Sequence, residues 1–393
     1  MGLLGGANSI RNDVRIASWS PLPVLHREIR GLTGDRPVVV GVVWKSDGSR
    51  ESPRHVLAGM IDGGVNMSHF DAGGWRAALR LVAVLAVLVF ATTQCRRAKV
   101  PEVSTAPVPA GFALIPAGEF MMGDALDDGD YEAPQHRVSV SAFHMQTKEV
   151  TKAQWDEVRA WGVKNGYADL PEGEGKAADH PVIQISWFGA VKWCNARSEQ
   201  DALVPCYYTS AARTEVYRTG EVDLATPMVN WAASGYRLPT EAEWEKAARG
   251  GLVGKRFPWG DTISHRDANF CNDGNEAYQS GTTGPHPLYV SDEWPYTSPV
   301  GSFATNGYGL YDMTGNVEEW CWDCCLDYPD AVETDPRPAD TDPRATARGT
   351  WRVLRGGTWN SQGYLCCVAF RNLQFASNAY ERTGFRPVRC AIP

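Results

Sequence analysis

The sequence predicts an α+β fold that is irregular and rich in loops. Three observations lead there. Fifteen tryptophans and 39 glycines are many for 393 residues, which suits an aromatic-packed, loop-built protein better than a helical bundle. Three stretches carry helix caps ahead of apolar residues at helical spacing. Between them lie short runs that alternate as half-buried strands do.

In order, Phe112–Ile115 opens as a strand and leads through Pro116-Ala117-Gly118 into Glu119–Met122, and Arg137–Val140 alternates. Thr151-Lys152-Ala153-Gln154 is a capping box, with Trp155, Val158 and Trp161 following on helical spacing. Ser186 caps a second helix whose Trp187, Ala190, Val191 and Cys194 share a face. Thr240-Glu241-Ala242-Glu243 is another capping box, before Trp244, Ala247 and Ala248, and Gly250-Gly251 ends that helix. Beyond Arg256 loops dominate, with short strands expected at Pro299–Phe303 and Trp351–Leu354. The central stretch is Asn306–Trp322, NGYGLYDMTGNVEEWCW. Its glycines, Gly307, Gly309 and Gly315, suit a tightly turning buried loop. Asp312 and Glu319 can aim oxygens at a hard cation, with Tyr311, Trp320 and Trp322 as surrounding apolar mass.

Ahead of the globular part the chain reads differently. Residues 1–66 show no sustained period and read as disorder or a start codon placed too early. The apolar run Val38–Trp44 could make a strand, but nothing nearby is expected to pair with it. Residues 67–95 read as an export signal: Arg76 and Arg80 precede the apolar run Leu81–Ala91, too short for a membrane span of about 20 residues. Cys95 sits where a bacterial lipoprotein's lipidated cysteine would, although Gln94 is not the usual small residue. Residues 96–110, with Pro101, Pro107 and Pro109, form an extended linker, and the domain occupies 111–393. The expected location is the cell envelope or periplasm, possible membrane attachment being through Cys95.

Formal net charge is −8, and the longest basic run is Arg96-Arg97. Nucleic acid is therefore not expected as a partner, since phosphate binding needs clustered Lys and Arg. There is no H-E-x-x-H, no G-x-S-x-G and no phosphate-binding glycine loop. Cys321-Trp322-Asp323-Cys324 has redox-motif spacing but follows the candidate cation loop, so packing or a structural disulfide is expected. A bridge between Cys194 and Cys206 is open as well. His180, before Pro181, reads as a hydrogen-bonded structural residue.

The motifs together resemble the formylglycine-generating enzyme family, the sulfatase-modifying factors. They run in order through FALIPAGEFMMGD (112–124), HRVSVSAFHMQTKEVTKAQW (136–155), HPVIQISWFGAVKWCN (180–195), YRLPTEAEWEKAARGG (236–251) and FPWGD (257–261). NGYGLYDMTGNVEEW, RVLRGGTWN (352–360) and GFRPVR (384–389) complete the set. The resemblance implies a calcium-binding fold related to C-type lectins. It places one Ca2+ on the side chains of Asp312 and Glu319 and the carbonyls of Gly315 and Val317. A second would use the side chains of Asn269 and Asp292 and the carbonyls of Phe270 and Trp294. Such oxygen-only sets are what Ca2+ prefers. It also implies two cysteines that bind Cu(I) and oxidise a substrate cysteine with oxygen. Those positions fall on Ser361 and Cys366 here, and a serine is a poor ligand for soft Cu(I). Glu318 departs too, standing where the family has Trp in GNVWEW.

Two functions follow. The first is a calcium-stabilised binding module for a protein or glycan ligand, without oxidase activity. Its surface would be Asn360, Ser361, Tyr364, Phe370, Asn372, Phe375, Asn378 and Tyr380, residue types that adaptable paratopes use. Segment 358–383 also resembles the region that diversity-generating retroelements vary in proteins of this fold. The alternative is a copper-dependent formylglycine-generating oxidase, with Cys366 as the surviving thiolate and a substrate cysteine helping to hold Cu(I).

Overall fold

Each predicted cap closes a helix, and the helices sit among three small sheets. The computed structural model describes residues 107–391 apart from 125, 127–133, 291–292, 325–327, 329–330 and 338–349, together with the backbone of three strands upstream. The chain divides into two units, Met1–Pro101 and Glu102–Pro393.

In the first unit β1 (Val40–Val43), β2 (Val56–Ile61) and β3 (Gly64–His69) form an antiparallel sheet in the order β1-β2-β3. This corrects two expectations. Val40 pairs with Gly59 and Val43 with Val56, so the apolar run does find a partner. Part of residues 1–66 is therefore strand, where disorder was expected. The export run Leu81–Ala91 and Cys95 lie outside the described residues. Among those described, no helix is long and apolar enough to cross a membrane.

The second unit holds the domain. β4 (Phe112–Ile115) and β13 (Val388–Cys390) flank β7 (Phe143–Gln146), which brings the domain's two chain ends to one sheet. β6 (His136–Val140) lies between β5 (Gly118–Met122) and β9 (Glu333–Thr334). The third sheet runs β11 (Arg371–Phe375), β10 (Trp351–Arg355), β8 (Glu318–Trp320), β12 (Thr383–Gly384). The end of the central loop is thus a strand, where a loop throughout was expected. Pro299–Phe303 is a turn instead of a strand. Gly301 there has φ +82°, its N–H donates to Asp312 Oδ2, and the Ser302 hydroxyl folds back onto the Pro299 carbonyl.

α1 (Lys152–Gly162) starts at the Thr151 capping box and α2 (Trp187–Gln200) at Ser186. They pack on each other, with the Trp155 and Trp193 rings stacked at 6.2 Å and Phe385 edge-on to both. α2 is buried on nearly every side, which a one-face reading does not foresee. α3 (Glu241–Arg249) goes further: all nine of its residues are buried, including five charged ones. Each charge has a partner. Arg237 clasps Glu243 through two 2.6 Å bonds. Glu245 holds Arg249 and Arg355, and Glu241 takes Arg371.

Lys246 is the fifth, and it donates to the Gly118 carbonyl at 2.7 Å and the Val140 carbonyl at 3.4 Å. Burial lowers its pKa from 10.5 to about 8. Between those values the unfolded chain holds more protons than the folded one, so this residue makes stability rise with pH across that window. Urea unfolding of the wild type and Lys246→Met between about pH 7 and pH 10 checks this. The variant should be less stable by about 1–3 kcal/mol through its two abandoned carbonyls, and its stability should rise less steeply with pH.

Candidate functional site

The central loop owes its shape to four left-handed residues, Gly309, Asp312, Gly315 and Asn316. At Gly315 only glycine fits, because an added Cβ would lie 2.2 Å from the Asn269 carbonyl oxygen. Asn306 anchors the start of the loop by donating to the Ala247 and Ala248 carbonyls at the end of α3. Asn316 anchors its middle. Its N–H donates to the Asn269 carbonyl, its Oδ1 accepts the Ser298 N–H at 2.9 Å, and its Nδ2 donates to Glu149 Oε1 at 3.0 Å.

Glu319 and Asp312 have different surroundings. Arg386 Nε donates to both oxygens of Glu319, at 2.9 and 2.8 Å, and Arg386 Nη2 to Oε1 at 2.6 Å. Trp244 Nε1 adds a bond to Oε2 at 2.8 Å, so Glu319 is fully engaged by protein donors. Asp312 accepts the Gly301 N–H on Oδ2, while Oδ1 is buried without a partner. Glu149 leaves Oε2 in the same condition. Burial first, and then the Asp312 charge, push the Glu149 carboxyl well up against the pull of Arg386. Burial also raises Asp312, against the Gly301 N–H and Arg386. Sequence reasoning missed Glu149, and no local signal marks it, because its partners come from more than 160 positions away.

Among the described residues no three His, Cys, Asp or Glu side chains converge as a metal-binding group. A hard cation here would therefore rest on two carboxylates plus neutral oxygens, a set Ca2+ accepts. The unpartnered oxygens of Asp312 and Glu149 fit that chemistry. In the second expected set, Asn269 is buried and its amide donates to the Tyr296 carbonyl at 2.9 Å. The Phe270 carbonyl faces His265 Nε2 at 3.2 Å. Trp294 is 56% exposed and stands edge-on to Trp359 at 4.5 Å. Asp292 lies outside the described residues.

The positions at which copper ligands were expected, Ser361 and Cys366, sit beyond the Gly356-Gly357 turn. Ser361 Oγ accepts the Thr358 N–H at 3.0 Å and shares a 3.0 Å bond with the Thr358 hydroxyl. Cys366 is fully buried beside Cys367, and burial pushes its thiol well up. An added Cβ on Gly357 would come within 2.6 Å of Cys366 Sγ, so the turn approaches the thiol as only glycine can. One buried thiol and one locally satisfied hydroxyl do not fit a two-thiolate Cu(I) site. Cys271, which sequence reasoning did not single out, donates its N–H to the Ser361 carbonyl at 2.9 Å and is half-buried. Glu318 is buried, accepts from Asn372 Nδ2 at 2.7 Å and is raised by burial. Cys194, Cys206 and Cys321 are free thiols packed in the interior, so Cys194 and Cys206 are not bridged, and Cys324 is buried as well. Cys325 lies outside the described residues. His180 Nδ1 lies 2.8 Å from the Thr297 hydroxyl.

The expected binding surface is divided. Asn360 is exposed, Tyr364 is 44% and Tyr380 37% exposed, and Asn378 is half-buried against Gln374 and the Tyr380 hydroxyl. Phe370 stands edge-on to Tyr364. Ser361 and Asn372 are tied inward to Thr358 and Glu318, and Phe375 packs on Trp351 at 4.1 Å.

An irregular α+β domain whose chemistry-bearing positions follow a double-glycine turn beside an ion-paired loop has the architecture of the sulfatase-modifying factors. The profile of the sulfatase-modifying factor enzyme 1-like domain matches residues 98–391, and the chain belongs to that family. It is 33% identical over 323 residues to the formylglycine-generating enzyme of Streptomyces coelicolor, covering 74% of this chain and 94% of that protein. It is 32% identical over 276 residues to the chaperone protein LppX of Paenibacillus barcinonensis, covering 68% and 87%. The structure of Treponema denticola variable protein 1 superposes with a TM-score of 0.52 at 26% identity, covering 71% and 94%.

Thiol accessibility follows from this geometry. With a thiol reagent on the native protein, Cys271 and Cys390, both partly exposed, should label first among the described cysteines. Cys366 should label only on unfolding, since a buried thiol presents little thiolate. Peptide mass spectrometry reads the order, and early labelling of Cys366 would show the site open to solvent.

Proposed function

We propose that this chain is an exported bacterial envelope protein whose domain recognises a protein or glycan ligand rather than oxidising a sulfatase cysteine. The observation that carries this reading is Ser361. It stands at a copper-ligand position with its hydroxyl turned into the Thr358 backbone and side chain, beside one buried thiol. Calcium is the ion proposed to brace the loops. The exposed aromatic and amide groups around Asn360, Tyr364 and Tyr380 supply a contact surface. The relatives support a range of roles on this scaffold, since one is named a chaperone and a structural neighbour is named a variable protein. Fold alone does not decide among such roles.

The second reading, a copper-dependent formylglycine-generating oxidase, is favoured by identity to the Streptomyces enzyme and by Cys271, whose backbone borders Ser361. The full chain, loaded with Cu(I) and supplied with air, is to be offered a peptide carrying Cys-x-Pro-x-Arg. Mass spectrometry reads conversion of the peptide thiol to an aldehyde. The expected result is no turnover by the wild type and a gain in Ser361→Cys. Turnover by the wild type overturns the recognition reading, and its loss in Cys271→Ser would then identify the second thiolate.

A further inference from the structure

We propose that the cavity beside β13 is a binding and modification site for a small disulfide of the α-amino-acid class, held by both of its charges and captured on Cys390 as a mixed disulfide. The cavity shares no residue with the central loop or with the positions around Ser361.

Its volume is about 220 Å3, and its lining includes Trp231, Arg237, Asp335, Arg337 and Cys390, with Ser141 from the turn between β6 and β7. Pockets for drug-sized ligands run to about 300–1,000 Å3, so this one suits something nearer a single amino acid. Its walls carry charges that the fold leaves open. Arg337 lies over the Trp231 ring at 4.5 Å, and no carboxylate among the described residues pairs with it. Asp335 has the left-handed φ of +44°. Its oxygens accept the Ser141 N–H at 2.6 Å and the Ser141 hydroxyl at 2.7 Å. Those donors are neutral, and Asp335 likewise has no ion-pair partner among the described residues. Arg237, 5% exposed, clasps Glu243 with both terminal nitrogens and leaves Nε without a partner. Cys390 is a free, partly exposed thiol whose Sγ donates to the Trp231 carbonyl at 2.7 Å.

An unpaired cation and an unpaired anion lining one small cavity are complementary to a zwitterion. The ligand's carboxylate would take Arg337, whose planar fork matches it, and its ammonium would take Asp335. Cys390 lines the same cavity, and a disulfide is the group in such a ligand that a thiol attacks. The Cys390 proton leaves to solvent, and the thiolate attacks the nearer sulfur of the ligand. The ligand's S–S bond breaks as a new one joins Cys390 to the bound half. The other half departs as a thiolate and takes up a proton. Cys390 is thereby oxidised and the departing half reduced, so the ligand itself is the oxidant.

The test offers the full chain cystine, which carries both charges, cystamine, which has the ammonium alone, and dithiodiglycolate, which has the carboxylate alone. Peptide mass spectrometry reads the adduct on Cys390. Each rate is divided by that of a short cysteine peptide under the same conditions, which cancels the reagent's own reactivity. Cystine should modify Cys390 faster than either single-charge reagent by roughly threefold to fivefold, the range a partly exposed ion pair supplies. Arg337→Gln should remove its advantage over cystamine. Asp335→Asn, which tolerates the left-handed backbone and can still accept from Ser141, should remove its advantage over dithiodiglycolate. Cys271, outside the cavity, should show no preference for the zwitterion. A cystine advantage missing against either reagent, or one that persists in both variants, would overturn the proposal, as would adducts on Cys271 with none on Cys390. The wild-type comparison decides by itself if a variant folds poorly.

Discussion

The buried pair of Arg386 and Glu319 is the constraint on which the domain's arrangement depends. Arg386 is 0% exposed, and besides clasping Glu319 it donates to the carbonyls of Thr147 and Tyr311 at 3.2 and 2.9 Å. One side chain near the end of the chain thus joins the residue after β7, the central loop and β8. Such a pair adds little net stability over an apolar pair of the same shape, yet removing one partner costs about 3–5 kcal/mol. Its contribution is arrangement, since the two charges satisfy each other where these segments meet. α3 repeats the logic, with carboxylates pointing into the interior at arginines brought by β10, β11 and the segment before the helix.

This construction separates scaffold from chemistry. The Gly356-Gly357 turn, which directly follows the ion-paired Arg355, lies close against Trp244 and Cys366. Ser361 is satisfied locally, because its hydroxyl closes a turn with Thr358. The same holds for Glu318, whose carboxyl finds Asn372 on the edge strand β11.

Local features were the ones that could be read in advance. The caps at Thr151, Ser186 and Thr240 are written in four consecutive residues each, and all three helices begin there. The strands at Phe112 and Trp351 are likewise short-range patterns. The reading erred where partners come from afar. Pro299–Phe303 has strand-like composition, but Gly301 is recruited by Asp312 into a turn. The Val38–Trp44 run lacked a partner on paper because the pairing strand follows beyond an intervening stretch.

The sequence by itself determined the family, the helix starts and the glycine-dependent turns, since each depends on residue identity over a few positions. Only the tertiary structure decided that all of α3 is interior, that Glu319 belongs to Arg386, and that Glu149 is buried against Asn316 and Asp312. Those outcomes depend on which polar groups meet across 67 to 167 positions of chain. Burial makes them consequential, because a charge removed from water must find its partner within the fold.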